Sequence, residues 1–419
     1  MWKKLYLDVR IGFFLALRQV RRASLWTTTL IVFVMVLTFL NLVVVSGILV
    51  GLLQGAVDAT REKYLSDVIV SAQTDKQYIE NTANVIAIID ETPGIAAYTP
   101  RYRTGAVLEA NYKTRREGDK EDTASTQLVG IDPYVEDAIT KLRGDVIEGS
   151  FLEPGDFDKV VIGHFLLEQY IPIESPAFTS LDNVGVGSKI RIKMGEVVKE
   201  VTVKGIIRNK VDEISLSTFM VEDQMRNLIG RSDGNVSEIA IKVEEGVTPE
   251  AVRDSLKLYG VEAYARVQTF DEAMPKFLKD MIATFGMLGT AFSSIGLAVA
   301  AITIFIVIFI NAITRRKFIG ILKGIGISGR SIELSYIFQS IFYAITGSII
   351  GFAIVYGFLV PFMAANPIDF PFSDGILVAP LGETLARIGL LIFVTVLAGY
   401  IPARMIVRKN TLDSILGRN

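Results

Sequence analysis

The 419-residue sequence contains no cysteine and a single histidine, His164. Without cysteine, the chain has no disulfide, no thiolate metal site and no cysteine nucleophile. His164 lies in the segment VVIGHFLLEQY, which predicts a strand that runs into a helix. Because metal and acid–base sites need partner residues that this segment does not offer, we predict a structural or surface role for His164.

The sequence also lacks the motifs of nucleotide hydrolysis and of common hydrolases. A phosphate-binding loop requires Gly-Lys-Ser/Thr, and no Gly-Lys dipeptide occurs. The segment VGVGSK, residues 184–189, leads into the strand-like sequence IRIK, whereas a phosphate-binding loop opens a helix. No GxSxG or HExxH motif is present. We therefore predict that this chain is not an enzyme and has no catalytic, cofactor-binding or metal-binding residues of its own.

Long runs without charge dominate the hydrophobic part of the sequence. Residues 25–57, 281–314 and 334–368 carry no charged side chain, and each run exceeds the ~20 residues that a helix needs to cross a bilayer. A shorter run, 388–403, can span if its helix begins near Glu383 and Arg387 snorkels to the interface. The first three runs contain no ionisable group for an ion relay, so we predict four helices that serve packing and anchoring.

Charge is segregated along the chain. Residues 58–280 contain 39 acidic and 27 basic side chains, whereas the remainder has 6 and 16. Basic residues precede the first span, lie between the second and third, and follow the fourth. The positive-inside rule then predicts a multi-pass protein of the cell (inner) membrane with both termini cytoplasmic and residues 58–280 outside. The first apolar run is too long for a signal peptide and is expected to remain as an anchor.

The outer region is predicted to be an α+β domain. SKIRIKMGEVVKEVTVKGIIR alternates polar and apolar residues around 194–196, as a hairpin does. Further strands are expected in DVIVSA, AAYTPRYRTGAVLEA, TQLVGID, KVVIG and SEIAIKV, and a helix capped by Thr248 in TPEAVRDSLKLYG. The polar run 111–126 is interpreted as a mobile hairpin tip or loop. The flanks 58–66 and 269–280 are either ordinary loops or, as we prefer, helical extensions that form a stalk, which Pro275 limits or kinks.

Residues 2–22 are amphipathic, with Leu5, Val9, Phe13, Leu17 and Val20 at helical spacing, and predict a helix in the inner membrane interface. The predicted organisation begins with an interfacial helix (1–24), a first span (25–57) and an extracytoplasmic domain with stalk (58–280). A second span (281–314), a cytoplasmic coupling segment (315–333) and a third span (334–361) follow. The chain ends with a short outer loop (362–382), a fourth span (383–404) and a cytoplasmic tail (405–419).

The segment RRKFIGILKGIGISGRS, residues 315–331, places a dense basic cluster between two apolar runs. The bases alone could only stop the second span at the inner headgroups. Phe318, Ile319, Ile321 and Leu322 add an apolar side, Gly324 and Gly326 permit a sharp turn, and Ser328 can cap the next helix. These features predict a short amphipathic helix that docks into another protein's groove; the alternative is a simple interfacial anchor.

Residues 315–328 resemble the cytoplasmic segment of FtsX-like ABC transporter permeases, the superfamily of MacB-like macrolide exporters and lipoprotein-releasing permeases. Pro402, Ala403 and Arg404, followed by Asn410 and residues 412–415, are similar to the closing motif of the family. Residues 129–133 and 184–189 are similar to phrases of its extracytoplasmic core domain. The sequence departs from the family at Phe318, where Glu is usual, and at Thr411, where Pro is usual.

The resemblance implies a fold of four membrane helices, with a large α+β domain inserted between the first two, and a function by mechanotransmission. In this scheme a separate cytoplasmic ABC ATPase, which binds ATP and Mg, drives movement of the outer domains for export or extraction of a hydrophobic, lipid-linked or peptide cargo. Expected partners are that ATPase, a second permease chain, the lipid membrane and an extracytoplasmic adaptor, but no nucleic acid. The residues expected to couple to the ATPase are Arg315, Arg316, Phe318, Ile319, Gly320, Ile321, Leu322, Lys323 and Gly326, with Pro402, Ala403 and Arg404 as a C-terminal cytoplasmic motif.

Two alternatives remain open. The same machinery could activate an extracytoplasmic enzyme without moving a cargo. A membrane receptor or scaffold with no ATPase partner would also fit, and there the apolar side of residues 318–322 would only anchor the chain.

Overall fold

The computed structural model describes residues 2–116, 118, 121–171, 179–366, 368–370, 373–375 and 377–408. The α-helices are α1 (Trp2–Arg21), α2 (Leu25–Leu40), α3 (Ser46–Thr60), α4 (Thr82–Glu91), α5 (Pro133–Thr140), α6 (Asp212–Ser215), α7 (Glu222–Leu228), α8 (Pro249–Leu258), α9 (Phe270–Ala273), α10 (Lys276–Thr314), α11 (Arg316–Gly324), α12 (Gly329–Ile354), α13 (Val360–Ala365) and α14 (Leu381–Val407). Segments of π-helix join α2 to α3 (Asn41–Val45), extend α3 (Arg61–Leu65) and join α12 to α13 (Val355–Leu359).

The strands are β1 (Val68–Ser71), β2 (Ile95–Ala110), β3 (Asp122–Ile131), β4 (Val146–Gly149), β5 (Lys159–Gly163), β6 (Lys189–Met194), β7 (Val197–Ile207), β8 (Ser217–Val221), β9 (Glu238–Val243), β10 (Arg266–Thr269), β11 (Ile368–Phe370) and β12 (Ser373–Gly375). Two compact units result. Residues 2–53 and most of the described residues after 279 form a helical unit, and residues 54–279 form an α+β unit.

Four helices of the described chain are long and apolar enough to cross a membrane, as the charge-free runs predict. They are Leu25–Leu65, Lys276–Thr314, Gly329–Ala365 and Leu381–Val407. All four are longer than the predicted spans. The third begins at Gly329, inside the predicted coupling segment, because Ser328 caps it there. The fourth begins near Glu383, as expected.

Glycines permit the closest packing between helices of the helical unit. A Cβ added to Gly347 of α12 would lie 2.4 Å from Met35 Cβ and 3.1 Å from the Met35 carbonyl carbon of α2. A Cβ added to Gly351, one turn later, would come equally close to the Phe39 ring. Small residues at this contact therefore let α2 and α12 approach each other closely.

We expect Gly347→Ala to lower the stability of the helical unit by about 1–3 kcal/mol, because the added methyl group meets backbone as well as side-chain atoms and forces α2 and α12 apart. Thermal unfolding of the detergent-solubilised chain measures the effect. Gly389→Ala in α14 is the matched control, since its Cβ would meet no atom within 4 Å. Equal melting temperatures for the two variants would contradict the close-packing argument.

The α+β unit contains a mixed sheet. Its strand order in the described residues is β10-β1-β9-β2-β3-β8-β5-β7-β4, and β6 pairs with both β2 and β7. The pairs β3–β8 and β5–β7 are parallel, and the others are antiparallel. Such a sheet, with helices inserted irregularly, fits the predicted α+β class.

Both faces of this sheet are covered. In β5, Val160 and Ile162 contribute to one apolar cluster and Val161 to another. In β3, Leu128 likewise faces the first cluster and Val129 the second. Alternate residues of a strand point to opposite faces, so the two clusters lie on opposite sides of the sheet.

The predicted hairpin is present, with Met194 opposite Val197 and Gly195 in the turn. Two local predictions hold in part. Strands β2 and β3 pair as far as Ala110 and Asp122, so the polar run 111–126 contains a hairpin tip, but its residues from Asp122 onward already belong to β3. Thr248 occupies the predicted N-cap position of α8, but its side chain makes no capping hydrogen bond.

Candidate functional site

The predicted coupling segment forms the short helix α11 and a defined turn. The turn has the hydrogen bonds of a Schellman motif: Ile327 N donates to Leu322 O at 3.0 Å, and Gly326 N donates to Lys323 O at 3.1 Å. Gly326 has φ +95°, a conformation that glycine adopts without strain. The glycine of the sequence motif therefore ends α11 and directs the chain into α12.

The two faces of α11 differ in exposure. Phe318, Ile321 and Ile325 are 49%, 52% and 71% exposed. They follow one another at intervals of three and four residues and so lie on one side; we call them the α11 apolar stripe. Ile325 was not among the predicted coupling residues, although its spacing from Ile321 could have revealed it.

The opposite face of α11 belongs to the protein's own core. Ile319, Gly320 and Leu322 are buried, and both apolar side chains pack in the main cluster of the helical unit. Their burial leaves these three residues without a surface for direct contact with a partner in this conformation, and their coupling role stays a prediction. A partner that docks on α11 meets the apolar stripe instead.

The structure brings the two sequence motifs of the family resemblance together. Lys323 Nζ of α11 donates to Val407 O, at the end of α14, at 2.9 Å. In α14, Pro402 and Ala403 are buried, while the Arg404 guanidinium lies 5.4 Å from the Tyr400 ring centroid. Residues 410–415, which complete the second motif and include Thr411, lie outside the described residues.

A buried carboxylate that the sequence analysis missed lies beside this segment. Asp8 of α1 accepts hydrogen bonds from the hydroxyls of Ser328 and Ser331, at the first turn of α12. Ser328 Oγ also accepts from Ser331 N at 3.1 Å and caps α12, as predicted. Asp8 is the only acidic residue among residues 1–57, which is the signal that could have identified it.

Helix α1 packs on α12 through its small and polar residues. A Cβ on Gly12 would come within 2.8 Å of Leu334 Cβ and 3.0 Å of Ser331 O, so glycine is needed for this approach. Gln339 donates to Gln19 further along the same contact. Leu5, Val9, Phe13 and Leu17 of the predicted apolar face are exposed, although the Phe13 ring also lies edge-on to Phe338 of α12, with centroids 5.6 Å apart.

The fourth span contains a charged group, Arg387, whose partners the sequence analysis did not identify. The Arg387 guanidinium donates to Leu42 O at 3.1 Å and to Ser46 Oγ at 2.9 Å, and it pairs with Glu383 at 3.2 Å. Its snorkelling to the interface stays a prediction. Leu42 lies in a π-helical segment, where the regular hydrogen-bond ladder is interrupted. Arg387 thus ties α14 to the first span.

The α+β unit has a polar cavity at its surface. A cavity of about 340 Å³ is lined by Asp58, Arg61, Glu62, Lys63, Ser66, Asp67, Ile139, Thr140, Lys141 and Lys242, a mixture of both charge signs. In the part of the chain that the structure describes, no three metal-ligating side chains cluster. Residues 184–189 form a turn that enters strand β6, unlike a phosphate-binding loop.

His164 is buried, and its burial, followed by the nearby Arg208, lowers its pKa to about 4. The imidazole is therefore neutral near pH 7. Its ring packs against Phe165 and Tyr170, with centroids 4.1 and 6.2 Å away. This environment agrees with the predicted structural role.

Comparison with known proteins agrees with the fold and with the motifs. The model of the MacB-like periplasmic core domain matches residues 28–259, and that of the FtsX-like permease C-terminal region matches residues 290–411. An uncharacterized ABC transporter permease of Methanocaldococcus jannaschii is 24% identical over 297 residues, which are 65% of this chain and 66% of the relative. The chain thus spans about two thirds of that relative's length.

Two solved structures resemble part of the chain. The periplasmic region of MacB from Actinobacillus actinomycetemcomitans is 15% identical, with a TM-score of 0.35, and the match covers 52% of this chain and 94% of that one. The extracellular domain of the noncanonic ABC-type transporter YknZ from Gram-positive bacteria is 12% identical, with a TM-score of 0.32, over 48% and 98% of the two chains. At these TM-scores neither structure adds to the assignment. The core-domain match alone covers more than half of the chain, and with the second match it shows that the protein belongs to the MacB/FtsX type of ABC transporter permeases.

Proposed function

We propose that this permease works by mechanotransmission: a separate cytoplasmic ATPase binds the α11 apolar stripe, and its ATP-driven movement is relayed to the α+β unit for export or extraction of a hydrophobic, lipid-linked or peptide cargo. The observation that carries the proposal is the stripe itself. Phe318, Ile321 and Ile325 are exposed on a short helix whose other face is packed in the protein. A helix fixed on one side and apolar on the other is suited to dock into a groove.

The surroundings of the stripe support a role in receiving force. Its helix is connected to α14 through Lys323 and Val407, and the turn that follows it is connected to α1 through Ser328 and Asp8. A push on α11 therefore acts on several helices of the unit. An interfacial anchor needs no such connections.

The lengths of two membrane helices support a relay beyond the bilayer. The first runs from Leu25 to Leu65 and the second from Lys276 to Thr314, 41 and 39 residues. At 1.5 Å per residue each is about 60 Å long, roughly twice the hydrocarbon thickness. Pro275 lies between α9 and α10 and limits the second helix, as the sequence indicated.

The proposed topology follows the distribution of charge. The basic segments around α1, α11 and the end of α14 are placed in the cytoplasm, and the acidic region 58–280 outside. The proposed assembly has two permease chains, identical or different, and two ATPase copies. ATP and Mg belong to the ATPase, since this chain lacks a phosphate-binding loop.

Co-purification tests the proposal. We expect the full chain, extracted in mild detergent and captured by a tag, to bring down a protein with a Gly-Lys-Ser/Thr loop and with nucleotide hydrolysis. Absence of such a protein under several extraction conditions would contradict the proposal and favour a receptor or scaffold. An ATPase that co-purifies with an outer enzyme but supports no cargo movement would favour the alternative in which the permease activates an extracytoplasmic enzyme.

A further inference from the structure

Four charged side chains of the α+β unit lie together around the outer end of the first long helix. They are Arg101 and Arg103 on β2, Glu136 on α5 and Glu238 on β9. Arg101, Glu136 and Glu238 are only 3%, 1% and 7% exposed. Together with Tyr64, in the last helical turn before β1, we call them the Arg101 network.

Arg101 connects three separate elements. Its Nε and Nη2 donate to the two carboxylate oxygens of Glu136 at 2.9 and 2.6 Å. Its Nη1 donates to the backbone oxygen of Tyr64 at 2.6 Å and lies 3.3 Å from Glu238 Oε1. The Tyr64 carbonyl is one of those that a helix end leaves without an intrahelical partner. A single guanidinium thus fixes the helix end to a strand and to a second helix.

Arg103 holds the side chain of Tyr64, the residue whose carbonyl accepts a hydrogen bond from Arg101. Its guanidinium lies 5.1 Å from the Tyr64 ring centroid and donates to Glu238 at 3.0 Å. Burial would raise the pKa of Glu238, but Arg103 and then Arg101 lower it below its usual value. Glu238 is therefore ionised near neutral pH, and Tyr64 is held by both its carbonyl and its ring.

Other ion pairs at this helix end are weaker candidates for a mechanical connection. Arg61 pairs with Asp67 at 2.6 Å and Lys63 with Asp145 at 3.0 Å, but their basic side chains are 42% and 23% exposed. Exposed pairs of this kind are screened by water and contribute little. A buried ion network, in turn, is seldom more stabilising than apolar packing of the same volume. The Arg101 network instead holds the helix end at a fixed distance and in a fixed direction relative to β2, α5 and β9.

We propose that the Arg101 network transmits displacement of the helix end at Tyr64 to the central strands of the α+β unit, with Arg101 as the positioning residue. The inference rests on the proposed function, because it requires an ATP-driven movement of the first helix. The inference adds which residues pass that movement from the helix to the sheet.

The test compares wild type with Arg101→Met/Glu136→Met in the full chain, assembled with its ATPase in lipid nanodiscs. Removing both partners avoids leaving a buried charge unpaired. Because the chain has no cysteine, Ser24→Cys and Leu258→Cys, both at exposed positions, take spin labels selectively. Electron–electron distance measurements with ADP and with trapped ATP report movement of the outer unit. Hydrogen exchange reports the amides of residues 61–66.

We expect the variant to assemble and hydrolyse ATP as wild type does, but to lose most of the ATP-dependent change in distance. Its amides in residues 61–66 should exchange at least about tenfold faster, because the helix end opens locally. A variant with an unchanged distance response would overturn the inference while leaving the proposed function intact. A wild type without any distance response, or without an ATPase, would overturn both.

Two further variants separate coupling from general stability. Arg101→Lys keeps the charge but cannot bond Glu136 in two places and Tyr64 at once, so it should show the same loss of response and replaces the double variant if that does not fold. Lys204→Met/Asp156→Asn removes a pair in which Asp156 is buried and which lies outside the Arg101 network. This control should respond to ATP as wild type does; an equal loss in it would show a merely structural role and overturn the inference.

Discussion

Replacement of Phe318 and Ile321 by Asp is expected to abolish co-purification of the ATPase while the permease remains folded. Both side chains are about half exposed, so their loss removes little from the protein's own core. In the complex, the same substitution would place two carboxylates in an apolar groove. Central apolar anchors of an interface typically contribute about 2 kcal/mol or more each, so the affinity should fall at least ~100-fold.

The design separates loss of binding from loss of folding. Leu258→Asp, at a residue 82% exposed on the α+β unit, makes a comparable change elsewhere and should leave binding intact. Leu322→Asp, in contrast, buries a charge in the helical core and should destabilise the chain itself. Quantitative capture from detergent, with size-exclusion profiles for folding, distinguishes the three. Retention of the ATPase by the Phe318/Ile321 variant would show that the stripe is not the docking surface.

Asp8→Ala is expected to produce the second large effect, a loss of roughly 2–4 kcal/mol in stability with reduced stimulation of the ATPase. The substitution removes the acceptor of two charge-assisted hydrogen bonds and leaves the Ser331 hydroxyl buried without it. It also removes a negative charge from the N-terminal end of α12, where such a charge is favourable. Thermal unfolding and nucleotide hydrolysis by the assembled complex provide the measurements.

Asp8→Asn is the informative comparison, because the amide keeps an acceptor oxygen but not the charge. We expect its effect to be smaller than that of Asp8→Ala. Arg10→Ala, at an exposed position on the same helix, should change neither stability nor hydrolysis. If Asp8→Ala behaved like Arg10→Ala, the connection between α1 and the turn before α12 would have no energetic importance.

The spans and the hairpin were predictable because each depends on a local pattern: residues without charge over a bilayer's length, or strict alternation around Gly195. Which face of α11 is buried could not be predicted. Its sequence shows apolar residues at four of five positions from Phe318 to Leu322, and only the packing of the helical unit selects Ile319 and Leu322 for burial.

Long-range contacts account for the other differences. The hydrogen bonds of Arg387 could not be predicted because its partners, Leu42 O and Ser46, lie more than 300 residues earlier. The start of β3 at Asp122 was hidden for a similar reason, since a polar strand end is defined by its pairing with β2 and not by its composition. The Arg101 network was not recognised because Arg101, Glu136 and Glu238 look like surface charges in the sequence.

The position of β1 in the sheet has a consequence for biogenesis. β1 follows the first long helix directly, yet both of its neighbours, β9 and β10, come from the far end of the α+β unit. During synthesis, β1 therefore emerges with both edges unpaired until residues 238–269 arrive. Pairing over such separations is slow, and unpaired strand edges are prone to aggregate. The completed unit brings its first and last strands side by side, so that a chain interrupted before Glu238 leaves β1 without either partner strand.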